Sequence, residues 1–264
     1  MLLKNLIPNK NRFSDSPLYA PLIPKIYTDE LDCLQLAKNG YYELLMTELM
    51  KNEVKPNDIV IDIGANIGYH TLIFSSLVGD NGFVYSIEPE PRNLELLYRN
   101  VRENNCKNVN IIPKAASNED RFSKLYLHPD NIGDHRLYKF DNSYDFIMVE
   151  AVRLNSYFNY TSISRHVDFI KMDIQGSEFK AFLGMDKIIR ANPDIKLITE
   201  FYPSALYENG VEPIEYLELL TQWEFDIYNI DEINNNIYKI SISELLARYP
   251  VGSILETDLY CIRG

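Results

Sequence analysis

The sequence predicts an α/β fold with a mostly parallel sheet covered by helices on both faces. Three observations carry the prediction. The β-branched apolar run at 59–63 leads through a glycine turn into a helix-like segment. Strand-like and helix-like runs then alternate along most of the chain. Their connections are short, which favours right-handed crossovers and ligand binding beyond the carboxyl ends of the strands.

The elements follow in order. Residues 1–30 carry four prolines and little periodicity, so they read as an irregular arm that packs against or covers something. From 31 to 52, Leu34, Leu36, Leu44, Leu45, Leu49 and Met50 set a helical spacing broken near Asn39-Gly40. Lys55-Pro56-Asn57-Asp58 makes a turn into the first strand at 59–63. A helix at 69–78 ends in Gly79-Asp80-Asn81-Gly82, a strand follows at 83–87, and Pro91 suits the first turn of a helix at 91–104. A third strand falls at 109–113.

Between 118 and 145 the pattern turns polar. His128, Asp130, Asp134, His135 and Arg136 interleave with Leu125, Tyr126, Leu127, Leu137 and Tyr138, which reads as a hairpin or lid. A short strand is expected at 146–154 and a loop at 159–164; the Asn159-Tyr160-Thr161 sequon there is read as chance. The parallel pattern resumes at 167–172, ending at Asp173. It continues with a helix at 176–190, a strand at 195–199 ending at Glu200, a helix at 212–222 and a strand at 225–230. A helix at 241–248 and a strand at 258–262 complete the series. The expected organisation is an arm and helical cap over 1–52, then one domain over 53–264 with a polar lid insert at about 118–145.

Composition narrows the function classes. The 264 residues suffice for one domain with a large core. A formal charge of −12 repels phosphate backbones and anionic membrane surfaces, so nucleic acid is not the expected partner. Cys33, Cys106 and Cys261 are far apart and form no CxxC pair, which argues against a disulfide framework or a structural zinc site. The N-terminal stretch is interrupted by Lys4, Pro8, Lys10 and Arg12 before an apolar run can form. Neither a signal peptide nor a membrane span is expected, and the expected location is cytoplasmic.

The turn at 62–71 is the most informative segment. Gly64 allows a sharp turn, and Gly68 lets the following helix pack close to the sheet. In a dinucleotide fingerprint the position between them is a glycine that admits a pyrophosphate, and here it is Asn66. Asp62, just before the turn, repels phosphate and suits a ligand with an ammonium group, such as S-adenosylmethionine. Glu88 ends the second strand, 20 residues beyond Gly68, where a carboxylate can hold a ribose diol. That spacing alone does not separate adenosylmethionine from NAD.

With these residues assembled, the chain resembles the class I S-adenosylmethionine-dependent methyltransferases, and more narrowly the FkbM family. The resemblance rests on the run from Asp62 to Thr71, on Glu88-Pro89, on Ala115-Ala116-Ser117, and on the run from Asp168 to Glu178. It covers roughly 40–230. Two positions depart: His70 stands where an aromatic residue is common, and Leu154-Asn155-Ser156 where a Leu-Asp-Asp type sequence is frequent. The resemblance implies a Rossmann-like, mostly parallel seven-stranded sheet with an antiparallel last strand. It also implies methyl transfer to oxygen on a small molecule, sugar or glycan. The cofactor residues it implies are Asp62, Gly64, Ala65, Asn66, Gly68, Tyr69, Thr71, Glu88, Pro89, Asn93, Ala115, Ala116 and Asp173.

A sulfonium methyl group is already activated, so the protein must align a hydroxyl and take its proton. Asp173 and Glu200, ending two strands, are the candidate bases, and His135 on the lid is a third. A metal is not expected, since two carboxylates fall short of a ligand set. Glu178 reads first as a helix cap. Tyr69 and His70 are placed to line the methionine pocket, and Glu43 to close over it. Two other classes stay open: a cofactor-binding scaffold or sensor without turnover, and an NAD-dependent oxidoreductase. Asn66 and the lack of a Tyr-x-x-x-Lys pair count against the second. Asp173-Ile-Gln-Gly, in place of a Pro-Pro-aromatic sequence, counts against base methylation on DNA.

Overall fold

The computed structural model describes residues 25–28, 34, 36, 41–140, 144–160 and 166–263. Most of the proline-rich arm, the break near Asn39-Gly40, Cys33 and Thr161 lie outside them. In chain order, α1 (Leu44–Glu53) leads to β1 (Ile59–Ile63), α2 (Tyr69–Val78), β2 (Phe83–Ile87), α3 (Pro91–Glu103) and β3 (Val109–Ile112). Then come β4 (Ala115–Ala116), β5 (Arg121–Tyr126), β6 (Phe146–Val152) and α4 (Leu154–Tyr160). The second half runs β7 (Phe169–Met172), α5 (Glu178–Leu183), α6 (Asp186–Ala191), β8 (Lys196–Phe201), α7 (Pro203–Glu208) and α8 (Pro213–Gln222). It ends with β9 (Phe225–Asp231), β10 (Asn236–Lys239), α9 (Ile242–Arg248) and β11 (Thr257–Arg263).

The main sheet has the order β10-β9-β11-β8-β7-β1-β2-β3. From β8 through β3 it is parallel, and β11 runs antiparallel between β8 and β9. The expected seven strands are present, and β10, a short hairpin strand beside β9, adds an eighth at the edge. The chain leaves β1 for β2 on one side and later returns to β7 on the other. That reversal opens a crevice at the carboxyl end of β1, the usual ligand position in open α/β sheets.

Strand alternation sorts the side chains between two cores. Ile59, Ile61, Ile63, Ile170, Met172 and Leu197 join a core with Phe182 of α5 and Leu217 of α8. Val60, Phe169, Ile198 and Tyr260 point the other way, against α1 and α2. Helix α1 is held mainly by packing: Met46, Leu49 and Met50 are at most 3% exposed, and each such burial contributes about 1.5–3 kcal/mol. Its N-terminus is capped from a distance, where the Glu232 carboxylate accepts the amides of Leu45 and Met46 at 3.1 and 2.8 Å.

Several expected elements differ in detail. The strand expected at 146–154 is β6, but it joins a separate small sheet of order β4-β6-β5. The helix expected at 176–190 breaks into α5 and α6 at Gly184, where a Cβ would fall 1.9 Å from the Ser117 carbonyl oxygen. The backbone there must pass too close for a side chain. The segment expected as a loop from 159 begins inside α4. Helix α7 and strand β10 were not expected; both are too short to show a period. Ahead of α1, residues 25–28 lie on α3, where Asn100 exchanges hydrogen bonds with the Tyr27 backbone at 2.7 and 3.0 Å. Arg99 sits 3.6 Å over the Tyr27 ring. No helix among the described residues is long and apolar enough to cross a membrane.

Candidate active site

The crevice is built first from backbone. Gly64 has φ +79°, and a Cβ there would lie 1.9 Å from the Asp173 carbonyl oxygen. Only glycine allows the end of β1 to turn beneath the end of β7. Asn66 follows at φ 47°, a left-handed conformation that asparagine tolerates. Its amide donates to Glu88 Oε2 at 2.9 Å, while the Glu90 amide donates to Glu88 Oε1 at 2.8 Å. Gly68 meets α3: a Cβ would lie 2.6 Å from Leu97 Cδ1.

These turns enclose a cavity of about 310 Å³, within the range of small-molecule sites. Of the residues proposed from sequence for the cofactor, Gly64, Ala65, Asn66, Tyr69, Glu88, Pro89, Asn93, Ala115, Ala116 and Asp173 line it. Asp62, Gly68 and Thr71 do not. Asp62 is fully buried beneath the turn, where it accepts the Thr71 hydroxyl at 2.5 Å. Its other oxygen, Oδ1, is buried without a hydrogen-bond partner, on the sheet face it shares with its register partner Lys171, which does line the cavity. Burial raises the pKa of Asp62.

One end of the cavity is set by Glu88, 5% exposed, whose carboxyl burial pushes up to about 7 against the pull of its two amides. The opposite end is set by Tyr42, Tyr69 and His70. Tyr69 accepts the Tyr42 amide at 3.2 Å, and the two rings meet edge to face with centroids 6.0 Å apart. Burial holds His70 well below the usual histidine range, so it is neutral. Its Nε2 stands 3.5 Å from Glu43 Oε2, and both atoms lack a formed hydrogen bond.

The floor is a row of ionisable groups that strand alternation explains. Asp62 pairs in register with Lys171, and Glu200 with Asp258. Together with Asp173, two residues beyond Lys171, they share the sheet face that carries Val60, Phe169, Ile198 and Tyr260. Lys171 Nζ donates to Asp173 Oδ2 at 3.1 Å. Burial works against the lysine's charge, but Asp173, Asp62 and Glu43 outweigh it and raise its pKa. The Gln175 amide bridges two carboxylates, donating to Asp173 Oδ1 at 3.0 Å and to Glu200 Oε1 at 2.7 Å. Glu200 does not itself reach the wall; it stands behind Gln175. Burial, then repulsion from Asp173 and Glu178, holds its carboxyl well above the usual range. Burial likewise pushes Asp258 up to about 7. Glu178 stands in the first turn of α5 and reaches back to accept the Ile174 amide at 2.9 Å, which fixes the turn that presents Gln175.

The polar segment between β5 and β6 forms the roof. Asn93 Nδ2 donates to the Ile132 carbonyl at 3.0 Å, and Gly133 comes down on the Asn66 side chain. Arg136 is the anchor, 7% exposed. It donates to Asp134 at 2.6 and 3.2 Å, to the Tyr138 hydroxyl at 2.9 Å and to Glu208 of α7 at 3.2 Å. His135 lines the cavity, but its Nδ1 accepts the His128 amide at 3.0 Å. The neutral ring then carries its proton on Nε2, which makes it a donor, and burial lowers its pKa to about 4. That geometry counts against His135 as a base. Arg136, named from sequence as part of the lid, reaches the wall; sequence reasoning assigned no role to Lys171, Gln175, Tyr202 and Glu256, which are also on the wall. Lys171 was accessible to it, because an i, i+2 pair on one strand shares a face with Asp173; Glu256 carried no signal.

Do these residues suit an adenosylmethionine? Glu88 keeps free lone pairs beside a turn whose Asn66 amide is already spent, a fit for a ribose diol and a poor one for a pyrophosphate. Tyr42, His70 and Lys171 give the other end polar groups for an amino-acid moiety. They fit the cofactor.

The fold and this cavity define a class I, S-adenosylmethionine-dependent methyltransferase domain. The Methyltransferase FkbM domain matches residues 62–227, and the chain belongs to that family. Among curated relatives, a protein-L-isoaspartate O-methyltransferase from Methanothrix thermoacetophila is 38% identical over 53 residues, 20% of this chain. That match spans only 25% of the relative's length. A cobalt-precorrin-6B C(15)-methyltransferase assignment from Saccharolobus solfataricus is 24% identical over 142 residues, covering 50% of this chain and 71% of the relative. Among solved structures, a candidate rRNA methylase from Clostridium thermocellum superposes with a TM-score of 0.51 at 14% identity, covering 83% of this chain and 95% of that one. The superposition is a likeness of fold.

Proposed function

We propose that the protein transfers a methyl group from S-adenosylmethionine to a hydroxyl oxygen of a small molecule, sugar or glycan. The observation that carries this reading is the Asp173–Gln175–Glu200 bridge on the cavity floor, directly beside the Gly64 turn. When bound, adenosylmethionine supplies a sulfonium-activated methyl group. Glu88 would hold the ribose, and Gly64, Ala65 and Asn66 would shape the wall beside it. Asp173 would take the hydroxyl proton, a contribution of about 10²–10⁴ in rate for a positioned base. Lys171 on one carboxylate oxygen and Gln175 on the other fix Asp173 in one orientation. Glu200 orients the Gln175 amide from behind. Arg136 and Asn93 hold the roof closed against water.

The same acidic floor, with the overall charge of −12, supports a small acceptor over a nucleic acid. The fold likeness to a candidate rRNA methylase makes RNA a necessary arm of the test. The chain is incubated with methyl-labelled adenosylmethionine and, separately, a panel of sugars, other hydroxyl compounds and RNA. Label on oxygen of a hydroxyl compound, abolished by Asp173→Asn, is the expected result. Label on RNA, or on nitrogen alone, rejects the reading; cofactor binding with no transfer to any acceptor would favour a sensor.

A further inference from the structure

Next to Glu88 the cavity wall turns apolar. Pro89, Ala115, Ala116, Leu125, Ile132 and Leu137 line it. Ala115 and Leu125 belong to one buried cluster, with Leu137 packed against it. Such a slot suits a flat heterocycle, and the donor carries one, its adenine, on the ribose that Glu88 would hold. Apolar walls alone leave the ring nitrogens of a purine without hydrogen-bond partners, and an acceptor buried unpaired is costly.

His135 stands at this end. The antiparallel bridge between Tyr126 and Arg136 sets Leu137 opposite Leu125 and His135 opposite Leu127. Side chains alternate along the roof strand, so His135 shares the side of Leu137, while Arg136 reaches to Glu208 of α7. On α3, Arg92, one residue before Asn93, is close enough for its charge to act on the His135 ring. The ring is pinned, because its Nδ1 accepts the His128 amide at 3.0 Å. A neutral ring held in that way carries its hydrogen on Nε2. Among the described residues nothing accepts it. Two neighbouring donors are already spent: the Asn66 main-chain amide on Glu88 at 2.9 Å, and Asn93 Nδ2 on the Ile132 carbonyl at 3.0 Å.

We infer that His135 reads the adenine of the donor, giving its Nε2 hydrogen to a ring nitrogen of the base that lies in the slot of Pro89, Ala115, Leu125 and Leu137. The histidine is then a specificity residue for the cofactor, held by the main chain of the roof. This assignment concerns the donor alone and stands whatever the acceptor is.

The test is calorimetric binding to the full chain of S-adenosylhomocysteine and its 1-deaza, 3-deaza and 7-deaza analogues, each with one ring nitrogen replaced by C–H. One analogue is expected to bind about tenfold more weakly than the parent, and the other two within about twofold of it. His135→Asn keeps an oxygen near the Nδ1 position for the His128 amide but places nothing at Nε2; His135→Gln returns an amide nitrogen there. In His135→Asn the parent should weaken about tenfold and the deaza penalty should shrink to within about twofold, and His135→Gln should recover most of both. Circular dichroism and limited proteolysis of the roof check the fold of each variant. Three analogues that match the parent on the unaltered chain overturn the inference without any variant, as does absence of binding by the parent. A deaza penalty that survives His135→Asn, or a parent affinity unchanged in that variant, also overturns it. Methyl transfer to the acceptor panel is scored separately, so loss of the hydroxyl reading leaves the adenine assignment in place.

Discussion

The two halves of the cavity are made in different ways. The cofactor half is defined by backbone: Gly64 and Asn66 adopt left-handed conformations, and main-chain amides fix Glu88. The acceptor half is defined by side chains from β7, β8, the residue ahead of β11 and the roof, joined by ion pairs and a bridging glutamine. A backbone-defined site admits few sequences and is steric in its tolerance. A side-chain-defined site can be rebuilt by substitution without moving the fold.

Substitutions can break or sharpen that contrast. Asp173→Asn removes the base from the acceptor half, and kcat should fall roughly 10²–10⁴-fold while titrated adenosylhomocysteine affinity stays near its original value. An equal loss in both would erase the division between halves. Gly64→Ala places a Cβ 1.9 Å from the Asp173 carbonyl oxygen. Its expected cost is about 3 kcal/mol or more, roughly a hundredfold in adenosylhomocysteine affinity by calorimetry, or failure to fold seen by circular dichroism. Arg136→Met leaves Asp134 and Glu208 without their shared cation. The acceptor KM should rise about tenfold, and limited proteolysis should cut the roof more readily, with cofactor affinity much less affected.

A smaller effect comes from proton linkage at Glu88. Burial pushes its carboxyl up to about 7, so the native state keeps a proton that the unfolded chain releases at lower pH. That contribution is fully present below the ordinary glutamate range and is lost as pH rises through about 7. Glu178 and Asp258, also pushed up to about 7, act in the same direction. His70 and His135 are lowered and act oppositely below their ordinary value near 6.5. The diagnostic window is therefore about pH 6.5–8.5, where the melting temperature of the ligand-free chain should fall. Glu88→Gln should flatten that fall, and an unchanged slope would show that Glu88 does not hold the proton. Smallest is Ser241→Ala at the capping box of α9, worth about 1 kcal/mol in thermal unfolding with no change in either half.

This contrast also accounts for what could be read in advance. The turn from Asp62 to Gly68 was legible because left-handed φ values restrict residue type. The βα alternation was legible because buried parallel strands are continuous apolar runs. That Asp62 lies beneath the cavity wall was not legible, because a strand residue's neighbours in sequence do not say how deep it sits. Arg136 was legible only as part of the polar lid, and Glu256 was missed because its position comes from an antiparallel strand, which has no spacing rule. Gly184 was read through as helix because the constraint is a contact with Ser117, distant in sequence.

Strand β11 has a consequence for how the molecule is made. It follows β9 and β10 in the chain, yet it lies between β8 and β9 and pairs with both. During synthesis β9 cannot join the sheet until residues 257–263 have emerged, so β1, β2, β3, β7 and β8 can assemble well before β9 and β10 dock. Both edges that await β11 remain open for that interval, and its pairing is non-local and slow to find. The half that cradles the donor can form early on the ribosome, whereas Asp258 and Glu256 arrive last. A nascent chain stalled short of 257 should therefore expose unpaired strand edges of the kind that recruit chaperones or aggregate.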